Sequence, residues 1–125
     1  KSRVHVLGRV SDLQLATLYR HALFLAMPSL YEGFGLPLVE AMSLGTPVLT
    51  SATSSMPEVA GRAGLLVDPL DVDSIASGLF DMVDKPKLRA QLASHTRQQA
   101  NLFSWERAAE QTLAVLLGRA NGEFL

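Results

Sequence analysis

The stretch Pro28-Ser29-Leu30-Tyr31-Glu32-Gly33-Phe34-Gly35-Leu36-Pro37-Leu38-Val39-Glu40-Ala41-Met42 decides how this chain is read. It follows an apolar run, Leu23 to Met27, that has no polar alternation and so reads as a strand buried on both faces. Two glycines then break the pattern, and Pro37 suits the first turn of a helix that continues through Val39, Glu40 and Met42 and ends at Gly45. The segment is therefore strand, glycine-containing loop, helix. In open α/β sheets, ligands bind in the crevice at the carboxyl ends of the strands, where such loops lie.

Working outward, three more apolar runs read as buried strands: Val4 to Leu7, Val48 to Thr50, and Leu65 to Val67. Ser11 with Gln14 forms a capping box before a helix whose stripe is Leu15, Leu18, Tyr19 and Ala22. Ser55 with Glu58 is a second capping box, opening a short helical turn. Strands that alternate with helices at this spacing indicate βαβ units and a parallel sheet. Beyond Pro69 only helices are expected. Val72, Ile75, Ala76, Leu79, Phe80 and Val83 make one amphipathic stripe, and Leu88 and Leu92 begin another after Pro86. Ser104 caps the last helix, whose stripe of Trp105, Ala108, Ala109, Thr112, Leu113, Leu116 and Leu117 is expected to pack on neighbouring helices or on a domain of a longer parent. The expected fold is α/β: about four short parallel strands, flanking helices and a helical C-terminal third, all in one domain over residues 1–125.

Composition narrows the function. With 125 residues, 48% of them apolar, the chain suits one compact domain and not a disordered tail. Eleven basic against twelve acidic residues give a net charge of −1, which argues against a nucleic-acid partner needing excess Lys and Arg. Without cysteine there are no disulfides and no thiolate metal sites, as fits a reducing, cytoplasmic setting. The apolar run before Pro28 is too short to span a bilayer, and neither a signal peptide nor an initiator Met opens the chain. The chain reads as cut from something longer.

The loop between Met27 and Pro37 carries the candidate chemistry. Gly33 and Gly35 allow close approach of the backbone to a ligand, and the N–H groups opening the helix make a seat for an anion such as phosphate. Glu32 and Glu40 bracket that seat. A carboxylate accepts two hydrogen bonds from a vicinal diol, so an anion seat between two of them suits a nucleotide-sugar. Read alone, Glu32 is equally a solvated loop acid, Glu40 a favourable charge near a helix N-terminus, and Phe34 a core residue. Ser29 reads as a cap, and Glu58 as half of its capping box. His5, His21 and His95 have no partners at metal-ligand spacing.

The segment resembles the E-x7-E signature of retaining glycosyltransferases of family 4, also called group 1, which have the GT-B fold with Rossmann-like domains. The flanking blocks are similar too: Leu7-Gly8-Arg9-Val10-Ser11-Asp12, Gly45-Thr46-Pro47-Val48, Pro57-Glu58-Val59 and Phe103-Ser104-Trp105-Glu106. The resemblance implies that Glu32 contacts hydroxyls of the transferred sugar and that Glu40 binds the nucleotide ribose. Gly33, Phe34, Gly35 and Leu36 would present backbone to the sugar and distal phosphate. No metal or other cofactor is implied. The basic pair that neutralises the departing diphosphate would fall before Lys1, and Arg3, Arg9, Arg20 and Arg62 do not match it.

The chain thus resembles the later part of the donor-binding domain, its N-terminal acceptor domain lying further upstream. On this basis the isolated chain binds a nucleotide-sugar weakly without turnover, and its parent transfers a sugar to a carbohydrate or lipid acceptor in the cytoplasm or at the membrane face. Family strand order 3-2-1-4-5-6 would place two absent strands between Val4–Leu7 and Leu23–Met27. Those two runs should then pair directly, or a homodimer should form across the exposed edge. Two alternatives stand beside this reading: a standalone, non-enzymatic nucleotide-sugar binding module, and a glycoside hydrolase using Glu32 and Glu40 as its acid and base. The hydrolase reading leaves the glycine-containing loop unexplained and has few aromatic platforms.

Overall fold

The computed structural model describes residues 3–119. Three strands, β1 (Leu25–Met27), β2 (Val48–Ser51) and β3 (Gly64–Val67), form a parallel sheet in the order β1-β2-β3. Helix α1 (Asp12–His21) precedes β1, α2 (Leu36–Ser43) joins β1 to β2, and α3 (Met56–Ala60) with a 3-10 turn joins β2 to β3. Four helices follow: α4 (Val72–Asp84), α5 (Pro86–Ala93), α6 (Thr96–Ala100) and α7 (Trp105–Leu116). The α/β class, the parallel sheet and the helical C-terminal third are as the sequence implied.

Register pairs Leu25 with Val48 and Val48 with Gly64. Every residue of β2 is buried, as its central place and unbroken apolar pattern require. Successive side chains alternate across it. Val48 joins a core formed with Leu38, Met42, Met56 and Val59, while Leu49 joins a second core with Val67, Met82 and Leu92. The first core holds α2 and α3 against the sheet, which fixes where both helices begin.

The expected fourth strand is absent. Val4 to Leu7 forms no strand and lies exposed, Val6 at 93%. Apolar composition encodes a need for burial, whereas a strand also needs a neighbour in register. The sheet ends at β1, so the direct pairing of Val4–Leu7 with Leu23–Met27 does not occur.

Two of the expected helix caps form, those of Ser11 and Ser104. Ser11 and Gln14 close both halves of their box, and Ser104 Oγ accepts from the N–H of Arg107 at 3.1 Å. Ser55 stands at the N-cap of α3 but makes no cap hydrogen bond, so the Ser55–Glu58 box is not formed. Its hydroxyl is engaged elsewhere. The α4 stripe is narrower than expected: Met82 is buried and Ile75 and Leu79 partly so, while Val72, Phe80 and Val83 are exposed. No residue of α7 is buried, and Trp105 is 80% exposed. The stripe expected to pack on neighbouring helices is left facing outward.

Candidate functional site

The loop from Pro28 to Gly35 leaves the carboxyl end of β1 and enters α2. Gly35 is the N-cap of α2 with φ +102, a left-handed conformation that glycine adopts without strain. Pro37 occupies the first turn and supplies no N–H, and the N–H of Leu38 is bonded to the carbonyl of Gly35 at 2.9 Å. The seat is therefore earlier than a helix start alone suggests. Among the described residues, the N–H groups of Gly33, Phe34, Gly35 and Leu36 have no acceptor. Consecutive open backbone donors in such a turn form a concavity that favours anions.

Glu32 precedes these donors. Its carboxylate Oε1 accepts from Ser29 Oγ at 3.0 Å, so Ser29 orients Glu32 and caps no helix. Glu40 lies one turn into α2, where its Oε2 accepts from the hydroxyl of Tyr19 at 3.3 Å. Tyr19 is 9% exposed and anchored from α1, its carbonyl accepting from Thr46 Oγ1 at 2.6 Å. Burial first, then the negative charge and hydrogen bond of Glu40, hold this phenol above its usual value near 10.

A groove of about 560 Å³ opens between α2 and α7. Phe34, Leu36 and Val39 form one wall, Phe103, Trp105 and Ala108 the other, and Glu40, Glu58 and Arg107 add polar groups. Phe34 meets Phe103 edge to face, with ring centroids 5.4 Å apart. Phe34 is thus neither a core residue nor free of contacts. The groove takes in Glu40 but not Glu32, so the two carboxylates flank the open backbone donors without sharing that hollow. Glu58, expected in a cap, lines the groove instead.

Sequence reasoning missed Tyr19 as a partner of Glu40 and missed the role of Ser54 and Ser55, whose hydroxyls bond the carbonyl of Glu32 at 2.8 and 3.2 Å. Tyr19 carried only the signal of a helix stripe, and a serine pair before Met56 reads as a cap. Among the described residues, no group of three His, Cys, Asp or Glu is placed to hold a metal ion, and no helix is long and apolar enough to cross a membrane.

The sequence profile of the family "Glycosyl transferases group 1" matches residues 1–99. The chain belongs to this family. Over 110 residues it is 44% identical to the O-antigen chain mannosyltransferase B of Escherichia coli, covering 88% of this chain and 29% of that protein. Over 116 residues it is 43% identical to the MMP alpha-(1->4)-mannosyltransferase of Mycolicibacterium hassiacum, covering 90% of this chain and 28% of that one. Among solved structures, sucrose-phosphate synthase from Thermosynechococcus elongatus superposes with a TM-score of 0.81 at 33% identity, over 93% of this chain and 30% of its own. The group 1 chain is a Rossmann-like piece of GT-B type and spans less than a third of the length of these relatives.

Proposed function

We propose that this chain is the donor-binding portion of a retaining glycosyltransferase, which holds a nucleotide-sugar for transfer to a carbohydrate or lipid acceptor. The observation that carries the reading is the run of open N–H groups from Gly33 to Leu36, between Glu32 and Glu40, at the carboxyl end of a parallel strand. The diphosphate lies against those donors. Glu40 accepts from the ribose hydroxyls, and Glu32 accepts from hydroxyls of the sugar. No metal takes part; backbone dipoles and basic groups outside this chain balance the phosphate charge. The acceptor and the rest of the leaving-group stabilisation come from another domain, so the chain alone binds without turnover. Such a protein works in the cytoplasm or at its membrane face, and a second copy of the chain can meet it at the open edge of β1.

The test is calorimetric titration of the 125-residue chain and its Glu40→Ala variant with UDP, GDP and ADP and their hexose conjugates. The mannose-bearing conjugates come first, because two relatives are named as mannosyltransferases. One nucleotide should bind preferentially, and Glu40→Ala should weaken it about tenfold, the loss of roughly one charge-assisted hydrogen bond. Equal affinity for all three nucleotides, unchanged in the variant, rejects the reading.

A further inference from the structure

Residues 52–55 connect β2 to α3, and their hydroxyls reach across to the loop after β1. Ser54 Oγ donates to the carbonyl of Glu32 at 2.8 Å and accepts from the N–H groups of Glu32 at 3.2 Å and Ser55 at 2.6 Å. A hydroxyl has one proton and two lone pairs, so this set uses its whole capacity. Ser55 Oγ donates to the carbonyls of Phe34 at 3.0 Å and Glu32 at 3.2 Å, and Thr53 Oγ1 to that of Leu30 at 3.4 Å. Ser54 has φ +53 and is the one non-glycine residue with positive φ among the described residues. A side chain in that region costs energy, and the conformation persists only where its surroundings over-determine it.

The direction of these bonds matters. In a trans peptide the carbonyl of one residue and the N–H of the next point to opposite sides, and the described chain has no cis bond. Drawing the carbonyls of Glu32 and Phe34 toward residues 54 and 55 therefore turns the N–H groups of Gly33 and Gly35 away from them, to the open side of the loop. We propose that Ser54 and Ser55 are positioning residues that hold the Glu32–Gly35 backbone with the N–H groups of Gly33 and Gly35 presented for the diphosphate of a nucleotide-sugar. The functional half of this inference rests on the donor-binding reading above. The serines themselves touch no ligand. They act through the peptide planes, which is why a loop with two glycines can be ordered before a ligand arrives.

Ser54→Ala, Ser55→Ala and Ser54→Gly separate the hydroxyls from the strain, since glycine removes both and alanine removes only the hydroxyl. Two measurements are made on the 125-residue chain: amide hydrogen exchange at Glu32, which needs no ligand, and calorimetric affinity for a nucleotide-sugar against the matching nucleoside monophosphate. UDP-, GDP- and ADP-hexoses serve as probes, with Glu32→Gln as reference. Both Ser54 variants should speed exchange at Glu32 tenfold or more, because its N–H loses its acceptor. They and Ser55→Ala should weaken nucleotide-sugar binding several-fold while leaving monophosphate binding unchanged. Ser54→Gly should do so without a fall in melting temperature. Unchanged exchange at Glu32 in Ser54→Ala overturns the clamp outright. Faster exchange with donor affinity intact, while Glu32→Gln weakens it, overturns the positioning role and leaves the donor reading standing. Faster exchange with Glu32→Gln itself without effect overturns the donor role of this loop, and with it the functional half of the inference.

Discussion

Replacing Gly35 by alanine is the sharpest test of how the loop enters α2. Gly35 has φ +102, and a Cβ built there would sit 2.5 Å from Met56 Cε and 3.4 Å from Met56 Sδ. The left-handed backbone costs a residue with a side chain about 1–2 kcal/mol. Met56 is fully buried, so its terminal methyl has to move within a packed core, at about a further 1–3 kcal/mol. Together these give roughly 3 kcal/mol, a large fraction of the stability of a domain this size. Gly45→Ala isolates the backbone part, since Gly45 has φ +91 and nothing lies within 4 Å of its added Cβ. Gly33→Ala is the neutral reference, with open space and no positive φ. Urea unfolding should place Gly33→Ala near the parent chain, Gly45→Ala about 1–2 kcal/mol below, and Gly35→Ala about 3 kcal/mol below. If Gly35→Ala and Gly45→Ala lose the same amount, the approach of Met56 to the loop is not as described and the reasoning fails.

Three further expectations follow from single groups. Because folding raises the phenol of Tyr19, its contribution to stability is full below about pH 10 and is lost as pH rises through the folded value. Urea unfolding between pH 7 and 11 should show a steeper alkaline loss in the parent chain than in Tyr19→Phe; parallel curves refute the Tyr19–Glu40 contact. Ser51 Oγ is buried without a hydrogen-bond partner, so Ser51→Ala should raise stability by about 1 kcal/mol, and a fall of that size shows that the hydroxyl has a partner after all. The outer edge of β1 is unpaired within the sheet, so sedimentation should detect a dimer that Ala26→Pro dissolves; a monomer at every concentration removes the edge as a contact.

Much of the fold was legible because each signal was local and unambiguous. The unbroken Val48–Leu49–Thr50 run reported a strand buried on both faces, and Pro37 with Gly45 bracketed α2. Val4 to Leu7 misled because four apolar residues state what must be buried and not what lies alongside. The Ser55–Glu58 box failed for a different reason. Its spacing was right, but Ser55 has φ −78 and ψ −10 where a capping residue is extended, and its hydroxyl is turned toward two carbonyls 21 and 23 residues earlier in the chain. Of the candidate site, Glu32, Gly33, Phe34, Gly35, Leu36 and Glu40 are all named from one continuous segment. Tyr19, Ser54 and Ser55 are not, because their relation to that segment exists only once α1 and the β2–α3 connection are folded against it.

That division bears on how the site works. The candidate groups lie on one short stretch of chain, and apart from Ser29 the side chains that bond to them lie on two others. Ser54 and Ser55 bond the loop backbone from the β2 side, while Ser29 bonds the Glu32 carboxylate and Tyr19 that of Glu40, so each carboxylate has a support independent of the other. Glu40, Phe34 and Leu36 line the groove, whereas Glu32, Gly33 and Gly35 do not. A ligand that satisfied both acids would span the gap between them with its charged middle on the backbone donors and its two hydroxylated ends apart. On the donor-binding reading, this is the order of groups in a nucleotide-sugar: ribose, diphosphate, sugar. The groove between α2 and α7 then serves the nucleoside end, and the sugar end stays open toward whatever carries the acceptor.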